Sequence, residues 1–342
     1  MARVFMVTGG AGFIGSNYVN RLLSRGEQVI IYDNLSRLGA PRNLRWLEET
    51  FGANAFRLVV GDVRNAETLA IWTRQADVVV HLASQVAVTT SVLNPREDFE
   101  VNALGTLNVL EAARLSGRSP IILYASTNKV YGGMENLEVV EDQTRYRYAS
   151  LPQGISEAEP LDFHSPYGCS KGAGDQYMHD YHRIYGLPTV VLRQSCIYGP
   201  RQFGIEDQGW VAWFVIAAVS GRPITIYGDG KQVRDLLYID DLLDAYDAVL
   251  ENIDQAAGKI YNLGGGVENS ISVWQEFGPL LEELAGRSLP VACRQWRPGD
   301  QRVFIADIRK AQQELGWVPQ VSVEEGVGRL VKWVQANKEL FN

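Results

Sequence analysis

The segment Thr8-Gly9-Gly10-Ala11-Gly12-Phe13-Ile14-Gly15 constrains the fold more than any other part of this 342-residue chain. It follows an unbroken apolar run, Val4-Phe5-Met6-Val7, and opens a helical pattern from Phe13 to Arg25 that Gly26 closes. Gly9, Gly12 and Gly15 stand three apart. The first permits a tight turn, the second lets a pyrophosphate approach the backbone, and the third lets helix pack on strand. Amides at the helix N-terminus then face the phosphates. The next apolar run, Val29 to Tyr32, ends at Asp33, about 20 residues on, where a carboxylate takes adenine-ribose hydroxyls. An acid there disfavours a 2′-phosphate, so NAD is expected over NADP, although Arg37 is close by. Asp62 ends a third run. It either reaches the adenine or caps the helix that follows.

Further apolar runs at Phe56–Val60, Val78–Leu82, Ile121–Tyr124 and Thr189–Leu192 alternate with helical patterns. Unbroken β-branched runs between helices indicate a parallel sheet covered on both faces. The fold expected is α/β, a doubly wound parallel sheet with ligands at the strand carboxyl ends. Past residue 196 loops lengthen and glycines cluster, which predicts a smaller second domain. Net charge is −8, which argues against a surface built to coat nucleic acid. The three cysteines, Cys169, Cys196 and Cys293, are odd in number and far apart, so a reducing compartment is expected. The chain enters its first strand with no basic-then-apolar leader, and its longest apolar run, Trp210–Val219, is about half a membrane span. The expectation is a cytoplasmic protein with no membrane partner and no metal, because no Cys or His spacing resembles a metal site.

Asp162-Phe163-His164-Ser165-Pro166-Tyr167-Gly168-Cys169-Ser170-Lys171 carries the chemistry. Ser165 suits a helix cap and Pro166 the first helical position. Tyr167 and Lys171 then lie one turn apart on one face. The helix dipole and the ammonium both favour tyrosinate, so the phenol pKa is expected to fall towards neutrality and Tyr167 to act as a general acid/base.

Over essentially its whole length the chain resembles the extended short-chain dehydrogenase/reductases, specifically the NAD-dependent nucleotide-sugar epimerases and dehydratases. The glycine loop, Asp33-Asn34-Leu35-Ser36, Asp62-Val63, His81-Leu82-Ala83 and Asn102-Ala103-Leu104-Gly105-Thr106 carry the likeness. So do Ser126-Thr127-Asn128-Lys129-Val130-Tyr131-Gly132, Tyr167-x-x-x-Lys171, Leu192-Arg193, Tyr198-Gly199-Pro200-Arg201-Gln202 and Gly230-Lys231-Gln232-Val233-Arg234-Asp235. The resemblance implies a catalytic set of Thr127, Tyr167 and Lys171, with Ser126 the alternative to Thr127. It implies tightly bound NAD, regenerated at each turnover, held by Gly9, Gly12, Phe13, Ile14, Gly15, Asp33, Asn34, Ser36 and Arg37. Asp62, Val63, Leu82, Ala83, Gln85, Asn102, Tyr167 and Lys171 complete the cofactor set. It assigns residues 1–196 and 231–262 to NAD and 197–230 and 263–342 to the nucleotide sugar, and it implies a homodimer or homotetramer.

The substrate side is implied in the same way. Arg234 and Arg302 are candidate pyrophosphate clamps, since guanidinium forks match phosphate oxygens; pairing with Asp235 and Asp300 is the plainer alternative. Thr225 and Tyr227 resemble a segment lining the nucleobase, and Gln85 and Thr127 face the sugar. Cys196 stands where 4-epimerases usually carry Asn. Dehydratases of the family carry an Asp-Glu pair where this chain has Asn128-Lys129, which cannot perform carboxyl chemistry. The strings Asp207-Gln208-Gly209-Trp210-Val211 and Asp300-Gln301-Arg302-Val303-Phe304 resemble members that invert carbon 2 of a CDP-hexose. The activity implied is NAD-dependent 2-epimerisation of a CDP-sugar (paratose to tyvelose, or glucose to mannose) through a 2-keto intermediate. A UDP-sugar 4-epimerase or a nucleotide-sugar reductase is the alternative. Trp210 and Trp213 read as packing, and the four histidines as structural.

Overall fold

A computed structural model describes residues 2–296 and 300–341. The chain divides into two compact units: residues 1–130, 165–193 and 246–261, and residues 131–164, 194–245 and 262–342. The elements run in order β1 (Val4–Thr8), α1 (Phe13–Ser24), β2 (Gln28–Asp33), α2 (Ala40–Phe51), β3 (Arg57–Val60), α3 (Ala66–Thr73) and β4 (Val78–His81). Next come α4 (Val88–Leu93), α5 (Pro95–Phe99), a π-helical turn (Glu100–Leu104), α6 (Gly105–Arg114) and β5 (Ile121–Thr127). The hairpin β6 (Val139–Glu141) and β7 (Tyr146–Tyr148) precedes α7 (Ser165–Tyr185), β8 (Thr189–Gln194) and β9 (Cys196–Tyr198). Then follow α8 (Trp210–Ser220), β10 (Ile224–Tyr227), β11 (Val233–Tyr238), α9 (Ile239–Glu251), α10 (Ile253–Ala256) and β12 (Ile260–Leu263). The chain closes with β13 (Ser270–Ser272), α11 (Phe277–Ala285), β14 (Val291–Arg294), β15 (Val303–Phe304), α12 (Arg309–Leu315) and α13 (Val323–Ala336).

Seven strands form one sheet in the order β12-β8-β5-β4-β1-β2-β3, with parallel pairing at β1–β2, β1–β4, β2–β3 and β4–β5. The apolar runs are therefore the doubly covered strands expected: Met6, Val79, Ile122 and Tyr124 are all below 1 % exposed. Register places Thr8 beside both Tyr32 and His81, and His81 beside Tyr124, so one row crosses four strands at or next to the carboxyl ends of β1, β2 and β4. In the second unit β11 pairs with β13, β15 and β9, while β10 pairs with β14. The apolar run Trp210–Val219 is α8, with Val211, Ala212 and Phe214 to Ala218 buried. Trp210 packs edge-on against Phe214 and Phe277, at 5.4 and 5.0 Å between ring centres. Among the described residues no helix is long and apolar enough to cross a membrane.

Candidate active site

The glycine loop closes as its spacing requires. Gly9 adopts φ +71°, and a Cβ there would lie 2.8 Å from the Ala83 amide nitrogen; one on Gly15 would overlap the Gly9 carbonyl oxygen. Gly12 caps α1 with no side-chain hydrogen bond. A Cβ on it would approach only the Gly9 oxygen, at 3.1 Å, so the loop's outer side is open. The first amides of an α-helix have no intrahelical acceptor, so Phe13, Ile14 and Gly15 present donors there. Asp33 is 7 % exposed and accepts from the Ala11 amide at 3.0 Å and the Leu35 amide at 2.8 Å. Burial pushes its carboxyl up and those two amides pull it back. A carboxylate has about four acceptor positions, so two remain for vicinal hydroxyls. An amide-lined helix start with this acid at its side fits a dinucleotide.

The remaining cofactor candidates stand around this core. Asn34, Ser36 and Arg37 are exposed after β2, and the Asn34 side chain binds Ser36 at 2.7 Å and Asp62 at 3.1 Å. Asp62 is gripped by Arg64 at 2.9 and 2.8 Å, which holds its carboxyl down at about 2. It does not cap α3; Asn65 does, accepting from the Thr68 amide at 3.0 Å. Val63 is core. The Leu82 and Ala83 amides both donate to Thr8 Oγ1 at 3.2 Å, tying the turn after β4 to the glycine loop. Asn102 is 1 % exposed and bridges segments: it accepts from Ser84 Oγ and the Gln85 amide, and donates to Asp98 and Ser170 Oγ at 3.1 Å. The Gln85 side chain turns back onto Ala87 and Asp98.

Tyr167, Lys171 and Thr127 come together in the first unit. Ser165 caps α7, its Oγ accepting from the Gly168 amide at 3.3 Å, with its own backbone in the left-handed region at φ +63°. Gly174 lets α7 approach β5: a Cβ there would overlap the Tyr124 hydroxyl oxygen. Lys171 is 4 % exposed, donates to the Ala125 carbonyl at 2.6 Å, and sits 4.2 Å from the centre of the Tyr124 ring. Side chains alternate along a strand. Ser126 accordingly points to Asp175, donating at 2.6 Å, while the Thr127 hydroxyl hydrogen-bonds the Tyr167 phenol. Asp175 also takes both arms of Arg193, at 3.0 and 2.9 Å, and neither partner of that pair exceeds 2 % side-chain exposure.

Charge in this site departs from expectation. The Tyr167 phenol does not fall towards neutrality in the protein alone. Burial pushes it up to about 12, with the Thr127 hydrogen bond pulling it down and the charge of Asp98 raising it. Burial also draws Lys171 down to about 7, against the pull of Asp175 and Asp98. Desolvation outweighs the helix dipole because both groups are buried. His81 is structural and neutral: burial, then Lys171, hold it at about 3. Its ring bridges Thr8 Oγ1 at 2.7 Å and Thr106 Oγ1 at 3.1 Å.

The second unit holds the other substrate candidates, beyond Gln85 and Thr127. Arg234 is buried at 7 % exposure and paired with Asp300 at 2.7 Å, while Asp235 instead binds Ser195, Gly266 and Ala306. Arg302 is exposed, its guanidinium 5.4 Å from the Tyr146 ring centre. Thr225 and Tyr227 are half-buried on β10, and the Tyr227 hydroxyl donates to Glu206 at 2.9 Å. Cys196 is half-buried on β9 and carries no disulfide. A cavity of about 250 Å³ opens beside Gly266, Asn269, Ile308 and Arg309, and none of these substrate candidates lines it. No cluster of His, Cys, Asp and Glu among the described residues has metal-binding geometry.

Asp98, Ser170 and Asp175 escaped the sequence reading. Asp175 was accessible in principle, one turn beyond Lys171. Asp98 was not, because nothing in its local pattern marks it out.

Comparison with known proteins places the chain among nucleotide-sugar enzymes. The chain is 46% identical over 338 residues to the CDP-paratose 2-epimerase of Salmonella typhi, covering 97% of this chain and 99% of that protein. It is 33% identical over 329 residues to the UDP-glucose 4-epimerase of Mycolicibacterium smegmatis, covering 96% and 97%. The structure superposes on the Thermus thermophilus UDP-glucose 4-epimerase complex with NAD with a TM-score of 0.81 at 32% identity, covering 98% of this chain and 99% of that one. A family model described as GDP-mannose 4,6 dehydratase matches residues 6–330, and on that match the chain belongs to this family, within the extended short-chain dehydrogenase/reductases.

Proposed function

We propose that the protein is an NAD-dependent isomerase that inverts carbon 2 of a CDP-hexose. The observation that carries the reading is the 46% identity to a CDP-paratose 2-epimerase along 97% of the chain, joined to the buried Thr127–Tyr167–Lys171 set. The open helix N-terminus behind Gly12 and the Asp33 carboxylate suit NAD. NAD, when bound, supplies the acceptor for hydride leaving carbon 2, the donor that returns it to the opposite face, and a cationic ring.

As the tyrosinate, a state that a protonated Lys171 favours against burial, Tyr167 takes the carbon-2 hydroxyl proton as the bond to hydrogen breaks, and gives it back at the end. Thr127 holds the reacting oxygen through its hydroxyl. Lys171 offers a positive charge to the tyrosinate once protonated. Burial of both groups keeps water from the 2-keto sugar while it turns over. Asn128 and Lys129 replace the carboxyl pair of a dehydratase, and the hydroxyl groups of the sugar are retained. Arg234 and Arg302 bind the diphosphate, and Thr225 and Tyr227 lie against the base. Residues 1–196 and 231–262 chiefly serve the cofactor, Thr127 and Arg234 reaching the substrate from them, and 197–230 and 263–342 serve the nucleotide sugar.

The experiment is turnover of CDP-paratose in deuterated water, followed by proton NMR. Inversion without deuterium at carbon 2 supports direct hydride return; solvent deuterium there sinks the route. CDP-glucose and UDP-glucose in parallel define the sugar and base accepted. Absence of carbon-2 inversion with conversion at carbon 4 of UDP-glucose selects the 4-epimerase reading. A homodimer or homotetramer, in the cytoplasm, completes the proposal. Exposed Val92, Leu93 and Phe99 on α4 and α5, with Tyr177 and Ile184 seven apart on α7, support association, and sedimentation equilibrium tests it.

A further inference from the structure

Asp98 is completely buried, yet no role assigned so far uses it. It lies on α5, a helix of five residues whose register passes directly into the π-turn carrying Asn102. Its Oδ2 accepts from Ser170 Oγ at 2.5 Å; its Oδ1 accepts from Asn102 Nδ2 and Gln85 Nε2, both at 3.1 Å. Ser170 is the neighbour of Lys171, and its Oγ also reaches the Tyr167 carbonyl at 3.2 Å. A buried carboxylate with three donors is a built feature, because an unsatisfied one would be strongly destabilising.

We infer that Asp98 is a positioning residue for this site, seating the first turns of α7 through Ser170 and keeping a buried negative charge beside the Lys171 ammonium. The inference rests on the acid/base roles proposed for Tyr167 and Lys171. Among the described residues, the groups acting on or packed against Lys171 are Asp175 from α7, Asp98 from α5, His81 from β4 and Tyr124 from β5. Asp175 already shares its charge with Arg193 from β8, and His81 is neutral. Asp175 is the larger of the two charges acting on Lys171, and Asp98 has no cationic hydrogen-bond partner among the described residues. Asp98 raises Lys171 and Tyr167 alike, and burial, countered by Ser170, Lys171 and Gln85, pushes its own carboxyl up. Without that charge Lys171 would lose its proton at lower pH.

Asp98→Asn is nearly isosteric and removes the charge. In nitrogen-15-lysine-labelled protein, the Nζ signal of Lys171, assigned by its loss in Lys171→Arg, should titrate about one pH unit lower in Asp98→Asn than in wild type. Asp98→Glu, which keeps the charge, should restore most of the difference. Cofactor content after denaturation should stay near wild type, and kcat at neutral pH should fall about tenfold with little change in KM. Should Asp98→Asn not fold, Ser170→Ala provides the milder cut, and its Lys171 titration should move the same way by less. An unchanged Lys171 titration in whichever variant folds overturns the inference. This readout needs no substrate, so it stands apart from the question of which sugar is inverted: failure of carbon-2 inversion in wild type strikes the function, not Asp98.

Discussion

The two units handle polar side chains in opposite ways. In the first, Thr127, Tyr167, Lys171, Asp98 and Asp175 are each below 10 % exposed and joined by hydrogen bonds between strand ends and α7. In the second, the ligand candidates lie nearer the surface or are held by internal partners: Arg302 is exposed over Tyr146, Tyr227 is tied to Glu206, and Arg234 is engaged by Asp300. Proton transfer requires groups whose surroundings are fixed beforehand, since water would compete for every charge. Binding a diphosphate only requires cations that can exchange one anionic partner for another. The difference teaches where substitution damages rate and where it damages affinity.

The sharpest attempt to break that contrast is Tyr167→Phe. Turnover should fall about a thousandfold or more, with cofactor retained. Retained activity would remove the acid/base assignment. Asp175→Ala comes next. It leaves Arg193 buried without its anion, so denaturant unfolding should show a loss of about 3–5 kcal/mol. If the loss is under about 1 kcal/mol, the first unit's network is not preformed.

Asp235 tests a buried acid of the second unit. Burial raises its carboxyl from an unfolded value of 3.8 to about 6, against the hydrogen bonds of Ser195, Ala306 and Gly266. A raised acid pKa means that the folded state holds the proton more tightly. Its contribution is therefore fully present below pH 3.8 and lost as pH rises through about 6. Relative to Asp235→Asn, wild-type stability should drop by about 3 kcal/mol across that window, as followed by urea melts. A flat difference would show that the donors alone hold the carboxylate.

Arg234→Ala should raise KM for the CDP-sugar about tenfold to a hundredfold and leave kcat within about threefold, as expected for loss of a charge-assisted bond. A fall in kcat with KM unchanged would place Arg234 with the chemistry. Asp300→Asn has the smallest effect. It frees Arg234, so KM should drop by less than about fivefold, in keeping with a part-exposed ion pair.

Much of the first unit was legible because its signals are local. The glycine spacing, the β-branched runs and the Ser-Pro helix start each follow from backbone sterics within a few residues. The choice of Thr127 over Ser126 as partner of Tyr167 was also within reach, since adjacent strand residues face opposite ways. The phenol charge was misread, because a helix dipole and one lysine were weighed without the burial that overrides both. Asp62 as a possible helix cap was open until Asn65 took that place.

The sequence by itself determined the dinucleotide loop, the doubly wound sheet and the Tyr167–Lys171 pairing on one helical face, because each depends on spacing along a few turns or one strand. Only the tertiary structure decided that Asp98, 72 residues from Ser170 along the chain, is hydrogen-bonded to α7. It also decided that burial pushes the Tyr167 phenol up and draws the Lys171 ammonium down. Desolvation and through-space charge depend on what surrounds a group in three dimensions, and no local pattern in the sequence carries that information.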